Sequence, residues 1–160
     1  MSVYKVRQGE IKLISEPEDI LKINSLGATL AVCLSDPVAG ISTAGVFIVP
    51  GKIDSIQVPE WMEAASVSAG LPVLFKKFID AGGSKDNMKI WMVGCGRFME
   101  SASELDIGLQ LYSVAKKIVE KNKLSITGEH VGGPINRSVS MTCGAENLVV
   151  TMVDNTEVTI

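Results

Sequence analysis

Residues 29–49 read TLAVCLSDPVAGISTAGVFIV and carry the clearest structural signal of the chain. Their first part, residues 29–34, is almost continuously apolar and rich in β-branched side chains, which is typical of a strand buried on both faces. Asp36-Pro37 follows and favours a turn, because proline has no backbone N–H and aspartate stabilises turns. Residues 41–49 form a second apolar run, closed by Pro50-Gly51. The stretch therefore predicts a central β-hairpin.

Two segments further along the chain have the spacing of amphipathic helices. In residues 71–81 the apolar side chains recur at i, i+3, i+4, i+7 and i+8, and Gly82-Gly83 follows as a stop signal. Residues 106–121 repeat the pattern, with lysines on the opposite face. Strands outnumber helices and do not alternate with them strictly. We therefore predict an α/β (α+β) fold with a mixed β-sheet core and two to three helices. Short strands are predicted at residues 3–15, 88–93, 124–127, 138–142 and 148–153.

Length and composition exclude several classes of protein. The chain has 160 residues, which predicts a single domain over residues 1–160. The net charge of −3 and the aromatic content of 5% exclude a strongly basic, base-stacking nucleic-acid interface. Apolar runs are far shorter than the roughly 20 residues of a membrane-spanning helix, and the first residues lack the apolar region of a signal peptide. We expect a soluble cytoplasmic protein that binds neither nucleic acid nor membrane.

Few side chains suited to catalysis are present. His130 is the only histidine, so a histidine-based metal cluster is excluded, and neither a metal nor a cofactor is expected. Cys33 lies within the apolar run, where a thiol packs as a small hydrophobic group. Cys95, in Gly94-Cys95-Gly96, follows a predicted strand and is the better candidate nucleophile, although the sequence places no base beside it. Residues and motifs alone therefore identify no enzyme.

Segments in the same order over almost the whole chain resemble the CheD family of bacterial chemoreceptor glutamine deamidases. Residues 26–37, LGATLAVCLSDP, are similar to the family's LGSCVAVxLxDP. The other segments that resemble the family are Gly9-Glu10, Val49-Pro50, Leu71-Pro72-Val73-Leu74, Ala81-Gly82-Gly83, KIWMVGCG at residues 89–96, Asp106-Ile107-Gly108, and residues 129–139 with Gly132-Gly133 and Arg137-Ser138-Val139. The resemblance implies that the chain folds as a CheD-like layered sandwich.

The resemblance implies a cysteine nucleophile that attacks a glutamine side-chain amide, a histidine base and a threonine that orients the histidine. It assigns these roles to Thr29, Val46 and Ile23, so all three positions are substituted in this chain. A threonine hydroxyl is far less acidic than a thiol, and valine cannot act as its base. We therefore expect no intact catalytic triad, and we expect the three side chains to cluster as an apolar remnant of the pocket.

Three functional hypotheses follow. The first is a catalytically inactive CheD-like pseudoenzyme of chemotaxis signal transduction, which binds a chemoreceptor cytoplasmic region or a CheC-like phosphatase. The second keeps glutamine deamidase activity, a hydrolase reaction, at a displaced site built from Cys95, Cys33 and His130. The third gives the scaffold an unrelated binding role. The candidate binding surface is the rim of the former pocket, where two loops are expected to meet: Pro50, Gly51, Gly94, Cys95, Gly96 and Phe98.

Overall fold

Helices and strands are mixed along the chain. A computed structural model describes residues 1–51, 58–97 and 106–160. Within these ranges the helices are α1 (Val67–Asp80), α2 (Ile107–Lys121) and a 3-10 helix at Lys85–Asn87. The strands are β1 (Val3–Lys5), β2 (Ile11–Ile14), β3 (Ile20–Leu26), β4 (Leu30–Asp36), β5 (Ile41–Phe47), β6 (Lys89–Gly94), β7 (Gly128–Val131), β8 (Arg137–Thr142), β9 (Val149–Met152) and β10 (Glu157–Thr159).

The strands form two sheets that pack against each other. Sheet I has the order β1-β3-β8-β9-β10, and sheet II has the order β2-β5-β4-β6-β7. One apolar core lies between the sheets, and a second lies between sheet II and the two α-helices. The layers therefore run sheet, sheet, helices. This architecture confirms the predicted α+β fold with a mixed β-sheet core.

β4 and β5 form the predicted hairpin at the centre of sheet II. The antiparallel register runs from the pair Leu30 and Phe47 to the pair Asp36 and Ile41, and β6 pairs with the other side of β4. Every residue of both strands is buried. Successive side chains of β4 enter different cores, because side chains alternate across a strand. Ala31 and Cys33 enter the core between the sheets, whereas Leu30, Val32 and Leu34 enter the core beneath the helices.

Asp36 holds the hairpin turn with its carboxylate. Its Oδ1 accepts hydrogen bonds from the backbone N–H groups of Val38 and Ala39, both at 2.9 Å. Its Oδ2 accepts a third bond at 2.9 Å from the backbone N–H of Ser84, which lies between α1 and the 3-10 helix. The turn predicted at Asp36-Pro37 is confirmed. Its carboxylate also joins the turn to a segment distant in sequence.

Both α-helices lie where they were predicted, but α1 begins earlier. The side chain of Ser66 caps its first turn, so the helix starts at Val67 and not near residue 71. Gly70 lies in that first part of the helix and obscures it in the sequence, since glycine has low helix propensity. The side chain of Asp106 caps α2, so the predicted start of this helix is confirmed.

Two strand predictions are wrong in position. The single strand predicted over residues 3–15 is two strands in different sheets, because the chain turns at Gly9, whose φ of +83° favours glycine. The strand predicted at residues 124–127 lies instead at β7. Leu124 and Ile126 pack against the core beneath the helices before pairing with β6 begins. β3 and β10 have no counterpart among the predicted strands.

Candidate functional site

Thr29, Val46 and Ile23 line one cavity of about 290 Å³, which we call the Thr29 cavity. Ile23 belongs to β3 in sheet I, Val46 belongs to β5 in sheet II, and Thr29 directly precedes β4. Ile23 and Val46 are also part of the core between the sheets. The structure therefore brings together, between the two sheets, three side chains from separate parts of the sequence.

The wall and the mouth of the Thr29 cavity differ in character. Its buried wall is apolar and includes Val6 and Leu26 beside Ile23 and Val46. The exposed lining residues are Lys5, Arg7, Gln8, Asn24 and Ser25. The charged members of this lining are both cations, and none of the lining residues that the structure describes is a carboxylate. The result is an apolar space with a basic mouth.

Backbone hydrogen bonds fix the position of Val46. Its carbonyl accepts a bond from the N–H of Gly9 at 2.7 Å, and its own N–H donates to the carbonyl of Glu10 at 3.2 Å. On the other side, Val46 is the register partner of Ala31 in β4. The Gly9-Glu10 segment therefore extends sheet II beside Val46.

Thr29 is held by the turn that ends β6. Its carbonyl accepts a hydrogen bond from the N–H of Cys95 at 2.9 Å. Gly94 approaches so closely that a Cβ there would lie 2.3 Å from the same carbonyl oxygen, and its φ is +115°. Only glycine fits at this position. The hydroxyl of Thr29 is buried and has no hydrogen-bond partner in the part of the chain that the structure describes.

Among the described residues that line the Thr29 cavity, none is a histidine, a cysteine or a carboxylate. Val46 and Ile23 are hydrocarbon side chains, and the ionisable groups of the described lining are Lys5 and Arg7. A hydroxyl needs an adjacent base to become a nucleophile at neutral pH. The described surroundings of the Thr29 hydroxyl are therefore apolar side chains on the wall, with two cations at the mouth.

The two cysteines proposed for a displaced site are both buried. Cys33 lies within β4, and burial raises the pKa of its thiol to about 12. Burial also raises the pKa of the Cys95 thiol to about 12, although the nearby positive charge of Arg137 acts in the opposite direction. At neutral pH such thiols are protonated, whereas reactive cysteines have lowered pKa values. Neither is an activated nucleophile.

His130 is engaged by a buried arginine. Its Nδ1 accepts a hydrogen bond from Nε of Arg137 at 2.7 Å, so the imidazole is neutral and its proton is on Nε2. Burial, and then the positive charge of Arg137, lower the pKa of His130. The guanidinium also donates to the backbone carbonyls of Gly94 at 2.9 Å, Ile135 at 3.3 Å and Gly132. These contacts tie the Gly132-Gly133 turn to the end of β6.

The described rim residues lie at or just after the ends of β5 and β6, which both pair with the start of β4 in sheet II. The Pro50 carbonyl accepts hydrogen bonds from the side chain and the backbone of Ser68 at the start of α1. Gly96 donates instead to the carbonyl of Gly27 at 2.9 Å. Pro50, Gly51, Gly94, Cys95 and Gly96 are not among the described residues that line the Thr29 cavity. Phe98 falls outside the described residues.

The sequence gives no indication of the residues at the cavity mouth. The predicted strand over residues 3–15 contains Lys5 and Arg7 and assigns them no role at a site. The local charge of the sequence does not indicate a basic surface, because the first 22 residues contain four basic and four acidic side chains. In the folded chain, the turn at Gly9 and the pairing of β1 with β3 separate the basic side chains from the acidic ones. This separation is visible only in the structure.

Two negative findings apply to the described residues 1–51, 58–97 and 106–160. In these ranges no group of three or more His, Cys, Asp or Glu side chains could hold a metal ion. None of the helices there is long and apolar enough to cross a membrane.

Two packed sheets, helices on one outer face and a small cavity between the sheets define the architecture of this α+β protein. The chain belongs to the CheD family: the family model described as CheD chemotactic sensory transduction matches residues 56–152. That range begins after the residues of the Thr29 cavity.

Curated relatives align over more of the chain. The probable chemoreceptor glutamine deamidase CheD 1 of Syntrophus aciditrophicus is 26% identical, over 77% of this chain and 77% of that protein. The probable chemoreceptor glutamine deamidase CheD 2 of Anaeromyxobacter dehalogenans is 23% identical, over 88% and 89%. The corresponding protein of Methanococcus maripaludis is 25% identical, over 92% and 94%. A solved structure of a Neisseria meningitidis protein of the DUF152 family covers 90% of this chain and 65% of that chain, with 11% identity and a TM-score of 0.46.

Proposed function

We propose that this protein takes part in chemotactic signalling by binding a protein partner without deamidating it. The observation that carries the proposal is the composition of the Thr29 cavity, which has Val46 and Ile23 where the family resemblance assigns a base and its orienting hydroxyl. Covalent hydrolysis of an amide needs a nucleophile with a base in hydrogen-bond reach. Valine can neither take up nor release a proton, so the proposal gives this cavity a binding role only.

The apolar wall also disfavours a glutamine side chain as the occupant. A buried amide that loses a hydrogen bond costs about 1–3 kcal/mol, and Ile23 and Val46 offer it no polar atom. The relatives that align with this chain are named as probable deamidases of chemoreceptors. We propose that this member retains an ability to bind proteins of the same signalling system and lacks the hydrolytic step.

The proposed partner is the cytoplasmic region of a chemoreceptor, with a CheC-like phosphatase as the other candidate, and the proposed place of action is the cytoplasm. The alternative is deamidation at a displaced site with Cys95 or Cys33 and His130. The raised pKa values of both thiols and the Arg137–His130 hydrogen bond weigh against it.

The test uses purified cytoplasmic fragments of the chemoreceptors, and the CheC-like phosphatases, of the organism that supplies this chain. Calorimetry is expected to detect binding to at least one of them, and an ammonia assay is expected to give no release above buffer. The Syntrophus aciditrophicus relative provides the comparison for ammonia release. Release that disappears in the Cys95→Ala or Cys33→Ala variant would support the displaced site, and absence of all binding would contradict the proposed function.

A further inference from the structure

A strip of aromatic and charged side chains crosses the surface beside the Thr29 cavity. The Nζ of Lys12 lies 5.9 Å from the ring centre of Tyr4, and the Cζ of Arg7 lies 4.0 Å from the ring centre of Trp61. Glu10 joins the two pairs. Its Oε2 lies 3.0 Å from Nη2 of Arg7, and its Oε1 lies 3.9 Å from Nζ of Lys12. We call these five residues the aromatic–cation strip.

The aromatic–cation strip has the composition of a binding hot spot. Tyr4 is 40% exposed and Trp61 is 41% exposed, although aromatic residues are scarce in this chain. Tryptophan, tyrosine and arginine are the side chains that most often dominate the affinity of protein interfaces. The contacts with Glu10 and with the two rings also order Arg7 and Lys12 in advance, which reduces the entropy that they would lose on binding.

Glu10 keeps the cations of the strip in place as a carboxylate. Burial opposes its ionisation, but the hydrogen bonds from Arg7 and the positive charges of Lys12 and Arg7 outweigh burial and hold the pKa of Glu10 below its usual value. One buried negative charge is therefore surrounded by two cations, and the strip as a whole remains positive.

The strip is continuous with the Thr29 cavity, because Arg7 belongs to both. Lys5 adds a second cation to the cavity mouth, and in the β1–β3 ladder it lies opposite Lys22, which is also exposed. The whole chain has a net charge of −3, so this surface has the opposite sign to the average of the protein. A partner of complementary charge is acidic here.

We infer that the Thr29 cavity and the aromatic–cation strip form one docking surface for an acidic protein segment, which inserts a single apolar side chain into the cavity. The inference rests on the proposed function and specifies where the partner binds and what its binding segment contains. The volume of about 290 Å³ is just below the roughly 300–1,000 Å³ of small-molecule sites. It suits one side chain, and the wall formed by Val6, Ile23, Leu26 and Val46 selects an apolar one.

The test is a selection from a phage-displayed library of random 16-residue peptides against the full chain. We expect enrichment of acidic peptides with one Leu, Ile, Met or Phe, whose affinity is then measured by fluorescence anisotropy. Lys5→Glu and Trp61→Ala are each expected to weaken binding at least tenfold, and Asn24→Trp, which narrows the mouth, is expected to abolish it. Lys117→Glu, an exposed charge reversal on α2, is the matched control and is expected to change affinity less than twofold.

The substituted positions are exposed, so circular dichroism is expected to show that the variants fold like the original chain. No enrichment, enrichment of neutral or basic peptides, or equal affinity for Lys5→Glu and Lys117→Glu would overturn the inference. So would self-association of the chain that is lost in Trp61→Ala, which would assign the surface to a second copy.

The receptor fragments separate this inference from the proposed function. A fragment that binds the original chain and Lys5→Glu equally would overturn the docking surface and leave the proposed function standing. Acidic peptides that bind through Lys5 and Trp61, with no binding by any fragment or phosphatase, would support the surface and overturn the signalling partner.

Discussion

Arg137 is a buried cation, and we expect its replacement by methionine to loosen the end of β6. The residue is 2% exposed, and its guanidinium donates to four acceptors: Nδ1 of His130 and the carbonyls of Gly94, Ile135 and Gly132. No ion pair with a carboxylate is found for it in the described residues. Arg137→Met keeps much of the side-chain volume and removes every donor.

The size of the effect follows from these four bonds. A hydrogen bond from a charged donor contributes about 1.5–3 kcal/mol, and a buried acceptor left unpaired costs about 1–3 kcal/mol. Desolvation of the guanidinium offsets several kcal/mol of this gain. We expect Arg137→Met to lower the free energy of unfolding by about 3–5 kcal/mol, within the range measured for broken buried ionic networks. Arg137→Lys recovers only part, because an ammonium group lacks the planar fork of donors.

Urea unfolding followed by the fluorescence of Trp91, which is fully buried, measures this loss. The matched control is Arg7→Met. The Arg7 side chain is 61% exposed and has one ion pair with Glu10 and one contact with the Trp61 ring, so its loss costs about 1–2 kcal/mol. If the two variants differ by less than about 1 kcal/mol, the reasoning from the four buried hydrogen bonds is refuted.

Three further outcomes are expected. Gly94→Ala, which puts a Cβ 2.3 Å from the Thr29 carbonyl at a φ of +115°, lowers the free energy of unfolding by at least about 2 kcal/mol, and an unchanged melting temperature would contradict this. Because the pKa of His130 is lowered from 6.5 in the fold, the unfolded chain takes up this proton first as pH falls. Its contribution to stability is therefore complete above about pH 6.5 and is lost as pH falls through the folded pKa, with a slope of at most about 1.4 kcal/mol per pH unit. A His130→Gln variant with the same slope as the original chain would refute this. The double variant Thr29→Cys with Val46→His is expected to release no ammonia from receptor fragments until Ile23→Thr is added, because catalytic groups that act as a unit are non-additive. Equal release by the double and triple variants would count against the assigned roles.

The parts of the fold that the sequence predicts best are those whose burial leaves a local pattern. Residues 29–34 are apolar without interruption because both faces of β4 are covered, and this made the hairpin recognisable. The predicted start of α1 is four residues too late, because Gly70 lowers the local helix propensity. In the structure, tertiary packing keeps this part of the helix intact. The strand predicted at residues 124–127 shows the converse, since Leu124 and Ile126 are apolar because they pack near the helices, without being part of the sheet.

The candidate site was only partly accessible from the sequence. The resemblance pointed to Thr29, Val46 and Ile23, and these three side chains do line one cavity. The basic mouth was not predictable, because it depends on Lys5 and Arg7 lying beside a turn between strands of different sheets. The hydrogen bond between His130 and Arg137 was not predictable either. Arg137 lies in one of the family-like segments, but the sequence does not show which group it binds.

The position of β4 between two cores has a consequence for how the molecule unfolds. Neighbouring residues of this one strand, Val32 and Cys33, are anchored in different cores, and a strand moves as a unit. Neither core can open while the other stays intact, so both are expected to be lost in a single cooperative transition. Backbone amides of β4 are therefore expected to exchange with solvent only through global unfolding. Destabilising substitutions in either core would then lower the midpoint of the same unfolding transition.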